Sequence, residues 1–243
     1  FRAAGYRVGS YTSPHLLHFN ERICIDGVPV DDATLIAAFE KIRAAQGDVS
    51  LTYFEFTTLA AFLIFREAGL DVVVLEVGLG GRLDAVNLVD ADVAVVTSIG
   101  IDHVEYLGDP RELIAVEKAG IFRAGRPAIC GDTNPPSTLI ETADAMGAEL
   151  VCRGRDFDFR EEAPDAWAWH DHKRVLNGLP RPSLALANAA TAVAAVFRVS
   201  LEVSETALRE GLRGARLNGR MQVAAQNPLI VLDVAHNQHG AAF

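Results

Sequence analysis

The chain has few cysteines and no long apolar run. Its 243 residues include Cys24, Cys130 and Cys152, which are widely separated and form no C-x-x-C pair. An odd, scattered set of cysteines argues against a disulfide framework and favours a reducing compartment, so we expect a cytoplasmic protein. No apolar segment approaches the ~20 residues of a transmembrane helix, and we therefore expect no membrane partner.

Positive charge is also scarce. The chain has 22 lysines and arginines against 32 acidic residues, which gives a net charge of −10. This balance argues against a broad nucleic-acid surface but still allows a local basic pocket for an anion. Half of the residues are hydrophobic, so a substantial core can form.

A phosphate-loop signature is absent as well. The segment VVVLEVGLGGRLDAVN, residues 72–87, places Gly78, Gly80 and Gly81 directly after an apolar run. The motif G-x-x-x-x-G-K-[ST] needs a lysine and a hydroxyl residue that do not follow here, and G-x-G-x-x-G also fails. We interpret these glycines as a tight turn that needs positive φ or a close approach of the backbone.

Apolar β-branched segments alternate with helical patterns along most of the chain. DVVVLEV and DVAVVTSI are typical of short strands covered on both faces. Residues 31–45 and the segment YFEFTTLAAFLIFREAG have apolar residues at helical spacing. This alternation predicts an α/β fold with a doubly wound, mostly parallel sheet. Residues 155–182 interrupt the alternation and carry both tryptophans, which indicates a small β excursion.

Both ends of the sequence read as interrupted elements. FRAAGYRVGS reads as a helix end running into a strand, and DVAHNQHGAAF stops where a strand should lead into a helix. We therefore expect an internal piece of a longer protein. The segment LNGRMQ is typical of a linker, so we predict one domain over residues 1–217, with residues 218–243 as a linker and the first strand of a second domain.

Polar residues follow several predicted strands. Glu76 closes DVVVLEV, and a carboxylate in a buried strand is costly unless it is paired or binds a cation. The alternatives are a structural ion pair or a residue that already lies at the open end of the strand. Ligands of doubly wound folds bind beyond the carboxyl ends of the strands, which favours a functional role for Glu76. His103 follows DVAVVTSI in the same way. Ser13, in YTSPH, is by itself an ordinary turn residue.

Other polar residues are weaker candidates on their own. Lys118 lies late on a predicted helix, where the residue pattern alone favours a lysine that complements the helix dipole. Asn188 lies on an apolar helix, where an amide needs a partner. Asp233 and His236 follow an apolar strand, and Arg220 lies in the predicted linker.

Together these segments resemble the folylpolyglutamate synthase/dihydrofolate synthase family of the Mur ligase superfamily. The matching segments follow the family order over nearly the whole chain, and they are YTSPHLLHFNERI, LTYFEF, LEVGLGGRLDAVN, VVTSIGIDHVEYLG, EKAGIFRAGRPAI, ALANAATA, LNGRMQ and LDVAHN. The set is specific, whereas any one motif alone is weak. LTYFEF and SPHL resemble the bacterial bifunctional type, which handles dihydropteroate as well as folates.

The resemblance implies an ATP-dependent amide ligase that adds L-glutamate to dihydropteroate and to folates through an acyl phosphate. It also implies Mg²⁺ as cofactor, ATP as substrate and small-molecule partners only, and we expect a monomer. A Rossmann-like second domain would begin within residues 218–243. The family's phosphate loop, of the G-T-N-G-K-G-S type, and most of the C-terminal domain do not occur in this chain, so we expect the chain alone to be inactive or nearly so.

The resemblance further implies roles for individual residues. The Mg²⁺ ligands would be Ser13, Glu76 and His103. Lys118 matches a lysine that is carbamylated in the family, which replaces the dipole interpretation, and His236 is a further catalytic candidate. The residues that match ATP contacts are Asn188, Arg220 and Asp233. The residues that match pterin contacts are Thr52, Tyr53, Phe54, Glu55, Leu83, Asp84 and Ala85.

Two other interpretations stay open at this stage. One is a Mur ligase that acts on a cell-wall nucleotide precursor, although LTYFEF argues against it. The other is a protein without catalytic activity that binds a pterin or another partner and has lost its ATP loop.

Overall fold

The computed structural model describes residues 1–100 and 111–235 of the chain. The helices in these ranges are α1 (Asp32–Gln46), α2 (Tyr53–Ala68), α3 (Arg111–Ala119), α4 (Ser137–Met146), α5 (Leu186–Val196) and α6 (Glu205–Gly214). None of them is both long and apolar enough to cross a membrane.

The strands of the described ranges form four sheets. They are β1 (Val8–Tyr11), β2 (Ile23–Ile25), β3 (Val28–Pro29), β4 (Val72–Leu75), β5 (Ala94–Val96), β6 (Pro127–Cys130), β7 (Glu149–Cys152), β8 (Phe157–Ala163), β9 (Ala166–Asp171), β10 (Val175–Pro180), β11 (Gln222–Gln226) and β12 (Leu229–Leu232). The chain divides into two compact units, Phe1–Val89 and Asp90–Phe243.

The first unit has a four-stranded sheet in the order β3-β2-β1-β4. Strands β1 and β4 are parallel and in register from Val8 opposite Val72 to Tyr11 opposite Leu75. Helices α1 and α2 pack together, and their buried faces form the core with Tyr11 and Ile23 of the sheet. Helix α2 ends at Gly69, which has a left-handed φ of 60°.

The second unit is built on a parallel sheet in the order β5-β6-β7. Helices α3 and α4 pack on each other and contribute to one buried cluster with these strands. The predicted β excursion is confirmed, because β8, β9 and β10 form an antiparallel sheet. Trp167 and Trp169 of β9 are fully buried in a second cluster together with α5 and α6.

The parallel pairing of β1 with β4 and of β5 with β6 and β7 confirms the predicted α/β fold class. The prediction that DVVVLEV and DVAVVTSI are covered on both faces is wrong for the described structure. Val73 and Val74 are 42% and 49% exposed, and Val95 is 37% exposed. Burial of a strand's faces depends on the elements that pack on them, and in the first unit α2 packs against β1 and β2, whereas β4 lies at the edge of the sheet.

The segment after the predicted linker forms a hairpin. The sequence predicts β12 as the start of a new domain, and in the structure this strand pairs with β11, which the sequence does not predict. The side chains of β12 are exposed along its whole length. The proposed boundary near residue 217 precedes this hairpin and stays a prediction.

Candidate functional site

Ser13 and Glu76 lie next to each other at the carboxyl ends of β1 and β4. The parallel register continues one step past the strands, because the backbone N–H of Glu76 donates to the carbonyl oxygen of Tyr11 at 2.9 Å. Oε2 of Glu76 then accepts a hydrogen bond of 2.8 Å from the backbone N–H of Ser13. Glu76 is exposed and stands beyond the strand rather than inside it, so the cost of burying a carboxylate does not apply.

The oxygen atoms of Ser13 and Glu76, at the carboxyl ends of β1 and β4, suit a hard cation. A carboxylate and a serine hydroxyl are oxygen ligands of the kind that Mg²⁺ prefers. His103, the third predicted ligand, lies outside the described residues. Within residues 1–100 and 111–235 no group of three or more His, Cys, Asp or Glu side chains is placed to hold a metal. The described structure thus brings two of the three predicted ligands together.

The loop that follows Ser13 is organised by Glu21. Its carboxylate accepts hydrogen bonds from the backbone N–H groups of Leu16, Leu17 and His18 at 2.8, 3.0 and 2.8 Å. The N–H groups of Leu16 and His18 chiefly hold the pKa of Glu21 below its usual range. An ionised Glu21 therefore fixes the turn between Ser13 and the following 3₁₀ helix.

The glycine-rich turn after β4 is organised by Asp84. Its Oδ2 accepts from the backbone N–H groups of Gly78 and Leu79, both at 3.0 Å. A Cβ at Gly78 would lie 2.5 Å from the ring of Phe54, and Gly80 has a φ of 69°. Both observations confirm that the glycines serve a close approach and a positive φ.

A cavity of about 340 Å³ lies between the start of α2 and the segment that follows the glycine turn. Four of the predicted pterin-contacting residues line it, namely Glu55, Leu83, Asp84 and Ala85. The other lining residues were not predicted, and they are Leu51, Thr58, Leu59, Arg82, Asn87 and Leu88. The structure therefore joins the two predicted pterin segments into one concave site.

The remaining three predicted pterin residues, Thr52, Tyr53 and Phe54, are not among those that line this cavity. Thr52 and Glu55 form a capping box at the start of α2, since Thr52 N–H donates to Glu55 at 2.7 Å and Glu55 N–H donates to the Thr52 hydroxyl at 3.2 Å. The Phe54 ring packs against Tyr11, with ring centres 5.9 Å apart.

Tyr53 belongs to a cluster that sequence reasoning missed. Its ring is 60% exposed and lies 5.5 Å from the guanidinium of Arg22, which also lies over Phe19. Arg22 is only 7% exposed and donates from Nε to Nδ1 of His15 at 2.9 Å. The sequence held one indication of each missed arginine. Arg22 is a charged residue within the matched segment NERI, and Arg82 is a charged residue within the glycine turn.

In the second unit, Lys118 is the penultimate residue of α3 and is partly buried. The neighbouring face of the helix is fixed in the core by Ile114, Ala115 and Ala119.

Asn188 lies in the first turn of α5 and is exposed, so the argument that its amide needs a protein partner is wrong. An exposed polar residue in the first turn is close to backbone N–H groups that favour an anion.

Arg220 and Asp233 are brought together across the β11–β12 hairpin, with Nη1 and Oδ1 3.8 Å apart. Asp233 also accepts from the N–H groups of Met221 and Ala235, each at 2.8 Å. These two donors, and then Arg220, hold the pKa of Asp233 below its usual value, so the carboxylate stays ionised. His236 lies outside the described residues.

The chain is similar to known proteins along nearly all of its length. The model of the Mur ligase middle domain matches residues 32–173. The dihydrofolate synthase/folylpolyglutamate synthase of Escherichia coli K12 is 50% identical over 241 residues, which cover 99% of this chain and 57% of that protein.

Two solved structures are similar over nearly all of the chain. One is E. coli FolC in complex with DHPP and ADP, with a TM-score of 0.96 and 50% identity, covering 99% of this chain and 58% of that one. The other is the bifunctional synthase of Yersinia pestis with AMPPNP and a Mn ion, with a TM-score of 0.95, 50% identity and the same coverage. The chain thus spans less than two thirds of the relatives that it matches.

Proposed function

Since the chain belongs to the Mur ligase family, we propose that the full-length protein is an ATP-dependent ligase that joins L-glutamate to dihydropteroate and to folates. The observation that carries this proposal is the cavity that unites Glu55 with Leu83, Asp84 and Ala85. At about 340 Å³ it is near the lower end of the usual range for small-molecule sites, a size that suits a flat heterocycle. The likeness to a synthase solved with DHPP and ADP supports the same substrate class.

The reaction has two steps. The substrate carboxylate attacks the γ-phosphorus of ATP, which releases ADP and forms an acyl phosphate. The amine of glutamate then attacks the acyl carbon, and the tetrahedral intermediate collapses to the amide with loss of phosphate and a proton. Because an acyl phosphate hydrolyses readily, the protein must position the reactants and exclude water.

The cavity and the adjoining turns would perform the positioning. The pterin would enter between the first turn of α2 and the segment with Leu83 and Ala85. Asp84 is already held by three backbone N–H groups, so its contribution is to fix the shape of the turn. Thr52 would act through the capping box that orients Glu55.

Mg²⁺, when bound, would neutralise charge on the phosphoryl group that is transferred. Ser13 and Glu76 would hold the cation in the first unit, and His103 stays the third proposed ligand. Lys118 is proposed to be carbamylated, which would convert its cation into an anion for a second Mg²⁺. ATP contacts are assigned to Asn188, Arg220 and Asp233, and His236 stays a catalytic candidate.

The proposal extends to organisation and location. Residues 1–217 would form the ATPase and pterin-binding domain, and residues 218–243 would lead into a glutamate-ligase domain. The three cysteines are all free thiols, which supports a reducing cytoplasm. A monomer that binds small molecules, without nucleic acid or membrane partners, is proposed.

The test is turnover by the full-length protein. With dihydropteroate, Mg-ATP and glutamate we expect dihydrofolate, ADP and phosphate in equal amounts. Release of ADP no faster than in the absence of the pterin would refute the ligase. A substrate panel that includes a cell-wall nucleotide precursor tests the interpretation as a cell-wall Mur ligase. Pterin binding without any turnover would favour a binding protein.

Lys118 has its own test. Replacing it with alanine should abolish most activity, because the proposed anionic ligand is lost, and acetate should restore part of it. A Lys118→Ala variant with wild-type turnover would exclude the catalytic role.

A further inference from the structure

Asp132 connects three segments of the second unit. It follows β6 by two residues, and its Oδ2 accepts from the backbone N–H of Ile99 at 3.1 Å and from Nη2 of Arg111 at 2.7 Å. Its Oδ1 accepts from the N–H of Asn134 at 2.9 Å. The carboxylate is thus bonded to the segment after β5, to the start of α3 and to its own turn.

Arg111 completes the same arrangement from the other side. It is the first residue of α3, and its Nε donates to the carbonyl oxygen of Ile99 at 2.8 Å. Its Nη2 also donates to the carbonyl oxygen of Asn134 at 3.2 Å. Both backbone polar groups of Ile99 are therefore held, one by Asp132 and the other by Arg111.

This pair is more enclosed than an ion pair at the surface of the chain. The Asp132 and Arg111 side chains are 13% and 34% exposed, whereas Lys41 and Glu67 are each 53% exposed. Exposed ion pairs contribute little, but charged groups with several well-placed backbone partners make stronger and more directional bonds. The five hydrogen bonds of this pair therefore fix the relative positions of the bonded segments as well as stabilise them.

The bonded segments lead to residues of the proposed reaction. Ile99 precedes His103 by four positions, and Lys118 follows Arg111 by seven, which is about two turns of the same helix. We propose that Arg111 and Asp132 are a positioning pair that sets the segment after β5 and the helix of Lys118 for metal binding. This proposal rests on the metal site of the proposed function. His103 lies outside the described residues, so the structural argument uses Ile99 and Arg111.

The test measures metal binding in the full-length protein, with Mn²⁺ titrated in the presence of a non-hydrolysable ATP analogue. Arg111→Ala and Asp132→Ala should each weaken Mn²⁺ binding roughly tenfold, as loss of a group that orients a metal ligand does. Arg111→Lys keeps the positive charge but loses the planar guanidinium with its several N–H donors, so it should retain only part of the Mn²⁺ affinity. The double alanine variant should be no worse than either single variant, because both remove one arrangement.

Arg181→Ala is the matched control. Arg181 is 38% exposed and is paired with Glu161 in the same unit. Its replacement should leave Mn²⁺ affinity unchanged. Hydrogen exchange of the Ile99 amide should accelerate in Asp132→Ala and not in the control, which verifies that the intended bond was removed.

The outcomes separate the two proposals. Variants that melt at a lower temperature but bind Mn²⁺ within about twofold of wild type would reduce the pair to a structural role. If turnover fails in the wild type while Mn²⁺ affinity still depends on the pair, the ligase proposal falls and the positioning role stands. Absence of Mn²⁺ binding by the wild type would overturn both.

Discussion

The backbone N–H of Ser13 and the carboxylate of Glu76 are joined by a hydrogen bond of 2.8 Å, although the two residues are 63 positions apart. The bond follows from the parallel pairing of β1 with β4, which ends one residue before Glu76. It orients a carboxylate beside a serine at the open end of the sheet. Such an orientation is what an oxygen-ligated cation needs.

Replacing Glu76 with glutamine tests this arrangement. The amide keeps an oxygen that can accept from Ser13 but loses the negative charge, so the Mg²⁺ concentration for half-maximal turnover should rise at least about tenfold. Steady-state rates of the full-length protein against Mg²⁺ measure it. Glu67→Gln, which removes an exposed charge paired with Lys41, should leave the Mg²⁺ dependence unchanged. Equal Mg²⁺ dependence of turnover in both variants would contradict the role of Glu76 as a metal ligand.

Gly78 should tolerate no side chain. A Cβ there would lie 2.5 Å from the Phe54 ring, so Gly78→Ala must displace that ring or the turn, with an expected loss of about 1–3 kcal/mol in the free energy of unfolding. A Cβ at Gly211, inside α6, would meet no neighbouring atom within 4 Å, and Gly211→Ala should stabilise the helix by about 0.5–1 kcal/mol. Denaturant unfolding compares the two, and a neutral Gly78→Ala would contradict the close approach.

Leu83 is the cavity residue best suited to separate binding from folding. It is 81% exposed, so Leu83→Ala should change stability by less than about 0.5 kcal/mol. Because the side chain lines the cavity, the KM for dihydropteroate should rise about 5- to 30-fold, which corresponds to about 1–2 kcal/mol of lost apolar contact.

Val28→Ala is the control for Leu83, since Val28 is 66% exposed on β3 and does not line the cavity. Its KM for dihydropteroate should equal that of the wild type. A Leu83→Ala variant with the same unchanged KM would place the pterin elsewhere.

The loop held by Glu21 should respond to pH. The pKa of Glu21 is lowered in the folded chain by the N–H groups of Leu16 and His18, so its stabilisation is complete above the unfolded pKa of about 4.3. It is lost as pH falls through the lower folded pKa. The difference in unfolding free energy between wild type and Glu21→Gln should therefore be constant from about pH 7 to about 5 and shrink below about pH 4.

Urea unfolding at each pH gives that difference. Glu40→Gln, which replaces a carboxylate on α1 and outside this loop, is the control variant. A difference that grew on acidification would have the wrong sign and would contradict the bonding seen for Glu21.

Local patterns explain what can be predicted. The start of α2 is predictable because Thr52 and Glu55 bond within one turn. The glycine turn is predictable because a residue without a Cβ, such as Gly80, adopts a positive φ without a steric penalty. Burial is predicted less well. Val73 and Val74 are as apolar as a core strand requires, yet their exposure depends on which elements pack on the faces of β4.

The candidate site divides in the same way. The segments with Glu55 and Asp84 are predicted from the resemblance, but Arg82 and Thr58 enter the cavity only because α2 packs beside the turn. The pairing of Arg111 with Asp132 joins residues 21 positions apart, and no local pattern indicates it.

The sequence by itself determined the alternation of strands and helices, the helix caps, the turn at the glycines and the family to which the chain belongs. These depend on residues within a few positions of each other or on a fixed order of motifs. Only the tertiary structure decided that Ser13 faces Glu76, that two distant segments enclose one cavity, and that Ile99 is held from both sides. Such contacts arise from strand register and helix packing, which bring together residues that are far apart in the chain.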